Sequence, residues 1–299
     1  MISIIITAWE DPQSTRKCID LFLQENIKEK YEILASCPDS PTKNIIQTFV
    51  KKYPKIVSYH KQPRKMPKNE LMNILSKKAK GDILIFTDGN KFIEKNAVLE
   101  ITKPFQDRKV GCVGGQVKSL NPKDNRFGFW SHLLTNAAHR TRLKNYKNNK
   151  LIEFTANLLA IRNNIIGNMP LDVAEDAIIP YMFLKKNYKL VYTENAIVKA
   201  KYPTNLEDWK KQKVRSIKAH ESLNKYFKNE IRMKTFLNEI IEGTYLALNY
   251  PKNLKEILWT LLLFPTRLYI WLVALYQIKI KRDHYKASWS RSKSTVPLD

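Results

Sequence analysis

Glycine is scarce, eight residues in 299, and none of the eight falls into a G-x-G-x-x-G dinucleotide fingerprint or a G-x-x-x-x-G-K-S/T phosphate loop. Any nucleotide must therefore be held by something other than a glycine-rich backbone cradle. Cysteine is scarcer still. Cys18, Cys37 and Cys112 are odd in number and widely spaced, which argues against a disulfide framework or a zinc site and for a reducing compartment. Acidic residues are few beside the basic ones, 28 against 52, leaving a formal net charge of +24. That excess asks for an anionic partner: nucleic acid, a membrane surface or a phosphorylated ligand. The opening stretch, Met1-Ile-Ser-Ile-Ile-Ile-Thr7, lacks a basic flank and stops at Trp9-Glu10-Asp11. It reads as a buried strand rather than a signal peptide.

What is present is enough apolar residue, 43% of the chain, to bury a full core. Short apolar runs alternate with longer amphipathic stretches over the first two hundred residues, the rhythm of βα units around a mostly parallel sheet. Strands are expected at 2–8, 31–36, 55–60, 82–87, 110–118 and 189–198, and helices at 13–25, 41–53 and 68–79. A briefer helix is expected from Asn96 to Phe105, with Asn96 as its cap. The segment 119–150 is polar, basic and aromatic and is expected to be a mobile connection near a site. From about residue 203 the chain becomes basic and helical, and Ile257 to Tyr276 is apolar over a membrane-spanning length. Pro265 and Arg267 near its middle, and cations on both flanks, argue against a simple crossing. Two short helices hinged at Pro265 in one membrane interface, with Arg267 reaching the headgroups, fit better; a core helix pair is the alternative. The tail after Tyr285 is the one candidate disordered segment.

Three local features carry chemistry. Gly81-Asp-Ile-Leu-Ile-Phe-Thr-Asp88-Gly-Asn90 is a strand delivering a carboxylate and an amide to its carboxyl end, where open α/β sheets bind ligands and where two oxygens suit Mg²⁺ or Mn²⁺; it is equally an ordinary turn. Asp172-Val-Ala-Glu175-Asp176 puts acids at the start of a short helix, where the helix dipole alone favours them. Gln212 and Arg215 share a helical face, which by itself is a solvated basic face.

The order and spacing of these features resemble the inverting family-2 glycosyltransferases of the GT-A fold, over nearly the whole chain. Thr7 to Asp11 resembles the turn that meets the nucleotide, with Thr7 and Glu10 as donor contacts. Tyr31 to Ser40 resembles the strand delivering an aspartate to the base, here Asp39. Lys68-Asn-Glu-Leu-Met-Asn73 resembles the next donor-binding element, with Pro67 in place of the usual glycine, and Asp88-Gly-Asn90 resembles the metal motif with its second acid replaced by an amide. Val110 to Gly115 resembles the following strand, and Phe154 to Arg162 the acceptor-side segment ending in an arginine. Glu175 and Asp176 fall at the catalytic acid pair, and Asn187-Tyr188 at the usual Gly-Tyr. Gln212-x-x-Arg215-Ser216 falls at Gln-x-x-Arg-Trp, with Ser216 replacing the tryptophan, and Trp289 to Thr295 resembles the terminal segment of membrane-bound members.

The resemblance implies a GT-A-type, Rossmann-like, mostly parallel sheet flanked by helices (1–235), a helical membrane-interfacial region (236–285) and a basic tail (286–299). It implies transfer of a sugar from a nucleotide-diphosphate sugar to a lipid-linked or glycan acceptor on the cytoplasmic face of a membrane, with Mg²⁺ or Mn²⁺ at Asp88 and Asn90. Lys68 and Arg215 would add positive charge at the donor; Arg162, Gln212 and Ser216 would lie on the acceptor side, and Asp176 would be the base. An anionic membrane surface rather than nucleic acid is the expected match for the +24 charge. A processive polysaccharide synthase, an inactive glycosyltransferase-like scaffold and a basic nucleic-acid-binding protein are the alternatives.

Overall fold

The computed structural model describes the whole chain except residues 63, 151, 228–232, 234, 286–291 and 299; Trp289 and most of the tail's cations thus lie outside the described residues. Strand β1 (Ile2–Thr7) is buried on both faces, as a central strand covered by helices on each side must be. Its neighbours are β2 (Tyr31–Ser36) and β4 (Ile83–Asp88), both parallel, and β3 (Val57–Tyr59) adds to β2. The period of two along β1 sorts its side chains. Ile2, Ile4 and Ile6 face a core with Phe22, Ile46 and Ile101, from α1 (Pro12–Gln24), α2 (Ser40–Lys52) and α4 (Ala97–Thr102). Ile5 faces the opposite core, with Leu75 of α3 (Lys68–Lys78) and Phe183 of α6 (Glu175–Leu184). Each such side chain contributes about 1.5–3 kcal/mol by leaving water.

The sheet has eight strands in the order β3-β2-β1-β4-β7-β6-β8-β5. The long strands β6 (Val110–Ser119) and β8 (Lys189–Ala200) pair in parallel. Two short strands without a sequence expectation, β5 (Lys91–Ile93) and β7 (Leu159–Arg162), run antiparallel to their partners. The sheet is therefore mixed, with its first four strands parallel. Three- and four-residue strands are too short to show alternation, which is why periodicity misses them.

Four expectations are corrected. The segment 119–150 contains a 22-residue helix, α5 (Arg126–Lys147), capped by the Asn125 side chain accepting from the Gly128 N–H. Its first turns bury Phe127, Gly128, Phe129, Trp130 and Ser131 in succession, so no amphipathic stripe announces it. Asn96 precedes α4 in a left-handed conformation without capping through its side chain; the Glu25 carboxylate accepts from Asn96 N and Val98 N instead. Pro265 does not divide the apolar stretch. After the short helices α8 (Phe236–Asn238) and α9 (Thr244–Leu248), helix α10 (Leu254–Leu275) runs through it, and the cost of an interior proline, about 3 kcal/mol, is offset by burial on both sides of it, at Leu263, Ile270 and Trp271. Arg267 does not reach outward. Its Nε and Nη2 donate to the Glu239 carboxylate at 2.5 and 2.6 Å, and the Trp271 indole N–H donates to the same group at 2.9 Å.

Helix α10 packs on α5 and on α7 (Leu206–Glu221). Trp130 lies 5.0 Å, ring to ring, from Trp209 and donates its indole N–H to the Trp259 carbonyl at 2.7 Å. The C-terminal helices thereby share one apolar cluster with the sheet domain.

Glu239 is the acidic half of the α10 latch. Burial would raise its pKa, but Arg267 and the Trp271 N–H outweigh this and hold it below its ordinary value of 4.5. Glu239→Ala is expected to cost about 2 kcal/mol at neutral pH by leaving Arg267 unpaired. A group with a depressed folded pKa stabilises above its unfolded value and loses that contribution as pH falls through the folded one. Urea midpoints for variant and wild type should thus differ by a constant amount above pH 4.5 and converge below it.

Candidate active site

The strand order reverses between β1 and β4, and the register sets Thr7 directly opposite Asp88 at their carboxyl ends. Such switch points are where open α/β sheets take ligands. Thr7 Oγ1 donates to Asp88 Oδ1 at 2.9 Å. The next residue is Gly89 because the turn runs against β1 and α1: a Cβ there would meet Thr15 Oγ1 at 2.6 Å and Ala8 Cβ at 2.8 Å. A cleft of about 980 Å³ opens in front of these residues and extends along α7.

Lys68, the first residue of α3, joins two acids across this cleft. Its Nζ lies 2.7 Å from Asp88 Oδ1 and 2.8 Å from Glu175 Oε1. The same helix positions the second acid. Asn69 Nδ2 donates to the carbonyls of Pro170 and Val173 at 2.6 and 2.8 Å. Asn73 donates to Met169 O at 2.9 Å and accepts from Met169 N at 2.8 Å. These bonds fix the chain just before α6, whose first two residues are Glu175 and Asp176. Consecutive helical residues point about 100° apart: Glu175, 6% exposed, turns to Lys68, and Asp176 lines the cleft. The Asp176 carboxylate makes no hydrogen bond or ion pair with a described residue. Burial alone would lower the Lys68 pKa, but Asp88 and Glu175 more than reverse it and raise it well above the usual lysine range. Burial acts on Asp88 in the opposite direction and is likewise overcome, by Lys68 and Lys91, so its carboxyl is held low.

On the far wall, α7 brings Gln212, Arg215 and Ser216 to the cleft. The Arg215 guanidinium lies 6.0 Å from the Tyr285 ring centroid. Burial, and next Glu175, raise the Tyr285 pKa. Neither Tyr285 nor Lys91 was among the expected site residues. Tyr285 carries no local signal; Lys91 does, as a lysine directly after an acid-x-amide turn. The described part of the tail, expected to be disordered, docks: Ser294 donates its N–H and hydroxyl to Asp208 at 3.1 and 2.6 Å.

Three expected donor or acceptor residues are not brought to the cleft. Asp39 caps α2, accepting from Thr42 N at 2.9 Å and from Glu10 N at 2.8 Å, and neither Asp39 nor Glu10 lines the cleft. Arg162 is corrected outright. It pairs in register with Ile83 at the start of β4, five residues and therefore roughly 17 Å from Asp88, and its guanidinium donates to the carbonyls of Val110, Phe105 and Asp107. The antiparallel course of β7 turns it to the other edge of the sheet.

The expected metal pair, Asp88 and Asn90, lines the cleft with other partners already in place. Asp88 Oδ1 already receives Thr7 and Lys68, and Asn90 Oδ1 receives the Lys91 ammonium at 2.6 Å. Among the described residues no group of three His, Cys, Asp or Glu side chains is placed to hold a metal ion. A divalent cation at a diphosphate is held by one or two carboxylates together with water and phosphate oxygens. Here the carboxylate and the amide each already hold an ammonium, whose positive charge a dication would have to displace.

A family model described as glycosyltransferase-like family 2 matches residues 1–219. No curated protein sequence matches the chain. Among solved structures, the mannosyltransferase PcManGT of Pyrobaculum calidifontis, in complex with GDP-Man and Mn2+, is similar with a TM-score of 0.57 at 13% identity, over 94% of this chain and 81% of that one. Residues 1–349 of S. aureus TarS give a TM-score of 0.49 at 14% identity, over 93% of this chain and 75% of that one. The likeness to PcManGT is one of fold, the GT-A type.

Removing the Lys68 ammonium strands Asp88 and Glu175 beside each other. Lys68→Met is expected to cost about 3 kcal/mol at pH 7. The Asp88 carboxyl then gains a proton in the folded state before it does in the unfolded one, so the variant loses stability as pH rises from 5 to 7. Wild type, whose Asp88 is held low and Lys68 high, should change little over that window. Denaturant midpoints at the two pH values check both.

Proposed function

The chain belongs to the glycosyltransferase-like family 2, and we propose that it transfers a sugar, with inversion, from a nucleoside-diphosphate sugar to a lipid-linked or glycan acceptor at a membrane surface. The observation that carries this reading is the split between two neighbouring acids: Glu175 is tied into the Lys68 and Asp88 bridge, while Asp176 faces the cleft without a partner among the described residues. A carboxylate left free at a cleft wall suits the removal of a proton from an acceptor hydroxyl. Opposite it, Lys68, Lys91 and Arg215 put positive charge along the cleft, where a departing diphosphate gathers negative charge. Attack by the activated hydroxyl and departure of the diphosphate in one displacement invert the anomeric carbon. The donor's base and sugar would lie towards Thr7, Ala8 and Trp9 at the end of β1.

The acceptor side is α7. Gln212 and Ser216 are its cleft-facing polar groups, and Ser216 offers a hydroxyl in place of an aromatic platform for a growing chain, which favours the addition of one or a few sugars over processive synthesis. The membrane reading rests on α10. One face of it is buried against the domain, through Thr260, Leu263, Ile270 and Ala274, while Leu254, Leu258, Leu261, Leu268, Leu272 and Tyr276 lie exposed along the other. Ile241 and Tyr245, 69% and 67% exposed, widen the patch. A continuous apolar face beside lysines suits a helix lying in an anionic membrane interface. The helix is long and apolar enough to cross a bilayer, but its burial is spread along its length, as attachment in the plane requires.

Asp176→Asn should reduce transfer to a hydroxyl acceptor by about a thousandfold, with nucleoside-diphosphate affinity unchanged in calorimetry; turnover near wild type would remove Asp176 as the base. Replacing Leu258, Leu261 and Leu272 by serine should abolish co-sedimentation with vesicles containing phosphatidylglycerol, whereas wild-type binding should weaken as salt is raised. Salt-independent binding would count against an anionic surface.

A further inference from the structure

The turn after β4 runs Asp88-Gly89-Asn90-Lys91, and its lysine is the first residue of β5. Antiparallel pairing of β5 with β8, Lys91 opposite Ala200, fixes the backbone at that point. The side chain returns over the turn, and its Nζ donates to Asn90 Oδ1 at 2.6 Å. The charged groups facing this ammonium are Asp88, Lys68 and Asp11, with the Cys18 thiol beside them. Asp11, Lys68, Asp88, Asn90 and Lys91 all line the cleft. Asp88 Oδ1 and Asn90 Oδ1 are thus both engaged, and the group using the amide is itself a cation that a metal ion would have to displace.

Charge explains the arrangement. A carboxylate at position 90 would pair with Lys91 and take its charge away from any incoming anion. An amide orients the ammonium through a single hydrogen bond and leaves its charge, and two of its three N–H donors, for a ligand. Asn90 is therefore the residue type that such a lysine needs beside it.

We infer that the Lys91 ammonium, oriented by Asn90, is the cation that receives the diphosphate of the donor, and that this chain binds nucleoside diphosphates without a divalent metal. The inference rests on the nucleotide-sugar reading above and adds to it the residue that meets the phosphates. No covalent step is involved; Lys91 holds the diphosphate in the ground state and as the sugar leaves.

The test is calorimetry of the full chain with UDP and with GDP, first in EDTA and then in Mn²⁺, on wild type, Lys91→Gln and Lys91→Arg, each shown to be folded by its thermal melt. Wild-type affinity for the better nucleotide should differ by less than about threefold between EDTA and Mn²⁺. Lys91→Gln should bind at least about tenfold more weakly in EDTA, and Lys91→Arg should stay within about threefold of wild type. Binding that needs Mn²⁺, or Lys91→Gln binding as wild type does, overturns the inference and leaves the transferase reading standing. Failure of both nucleotides to bind in either condition, together with failure of inorganic pyrophosphate, overturns the inference and the nucleotide-sugar reading with it.

Discussion

The contact on which the rest of the site depends is the Lys68 ammonium between Asp88 and Glu175. It ties three parts of the chain that are far apart in sequence: the end of β4, the start of α3 and the start of α6. A buried ion pair contributes little net stability, because desolvation consumes most of its Coulombic gain, but removal of one member is expensive. Its effect is on geometry. With Glu175 committed to Lys68, the next residue around the helix faces the cleft, and the Asp176 carboxylate makes no hydrogen bond or ion pair among the described residues. Asn69 and Asn73 support the same outcome from one turn further along α3, by holding the backbone of 169–173 at fixed length from the sheet.

The apolar runs of β1, β2 and β4 were legible because each of these strands is long enough to alternate or to be buried whole, and α1, α2 and α3 each show one apolar stripe. Ile2–Thr7, Tyr31–Ser36 and Ile83–Asp88 lie within a residue or so of their expected places. The pattern was lost where burial is not periodic. The start of α5 buries five residues in a row, and β5 and β7 are shorter than a period can show. Spacing along the chain singled out Asp88, Lys68, Glu175 and Asp176, and the structure brings all four to element ends at one cleft. It misplaced Arg162, because the direction of β7 is a property of sheet pairing and not of local sequence. It missed Tyr285, whose position depends on the path of a long C-terminal segment.

Arg267 shows how a charge in an apolar stretch can be misread from sequence. Taken linearly, an arginine amid leucines suggests a side chain that must escape to water or headgroups. In three dimensions it has a bidentate carboxylate partner, Glu239, which arrives from the short helical segment before α10. Planar guanidinium and carboxylate meet with two parallel hydrogen bonds, so the pair anchors α10 to the domain and frees the opposite helix face to stay wholly apolar. The polar residue and the apolar stripe are thus two faces of one device.

Helix α7 connects that device to the chemistry. Trp209, Val214 and Ile217 pack into the cluster shared with α5 and α10, while Gln212, Arg215 and Ser216 line the cleft. A single helix is therefore both a wall of the cleft and the layer on which α10 rests. Arg267, Trp271 and Val273 of α10 line the cleft as well, so one helix borders the cleft and carries the exposed apolar stripe. On the proposed reading, an acceptor anchored along that stripe would bring its reactive hydroxyl to the cleft at the end of its headgroup, and a water-soluble donor would enter past Lys91 and Asp88. The two would then meet beside Asp176, where a single displacement would need a base on the acceptor side and cations on the leaving group.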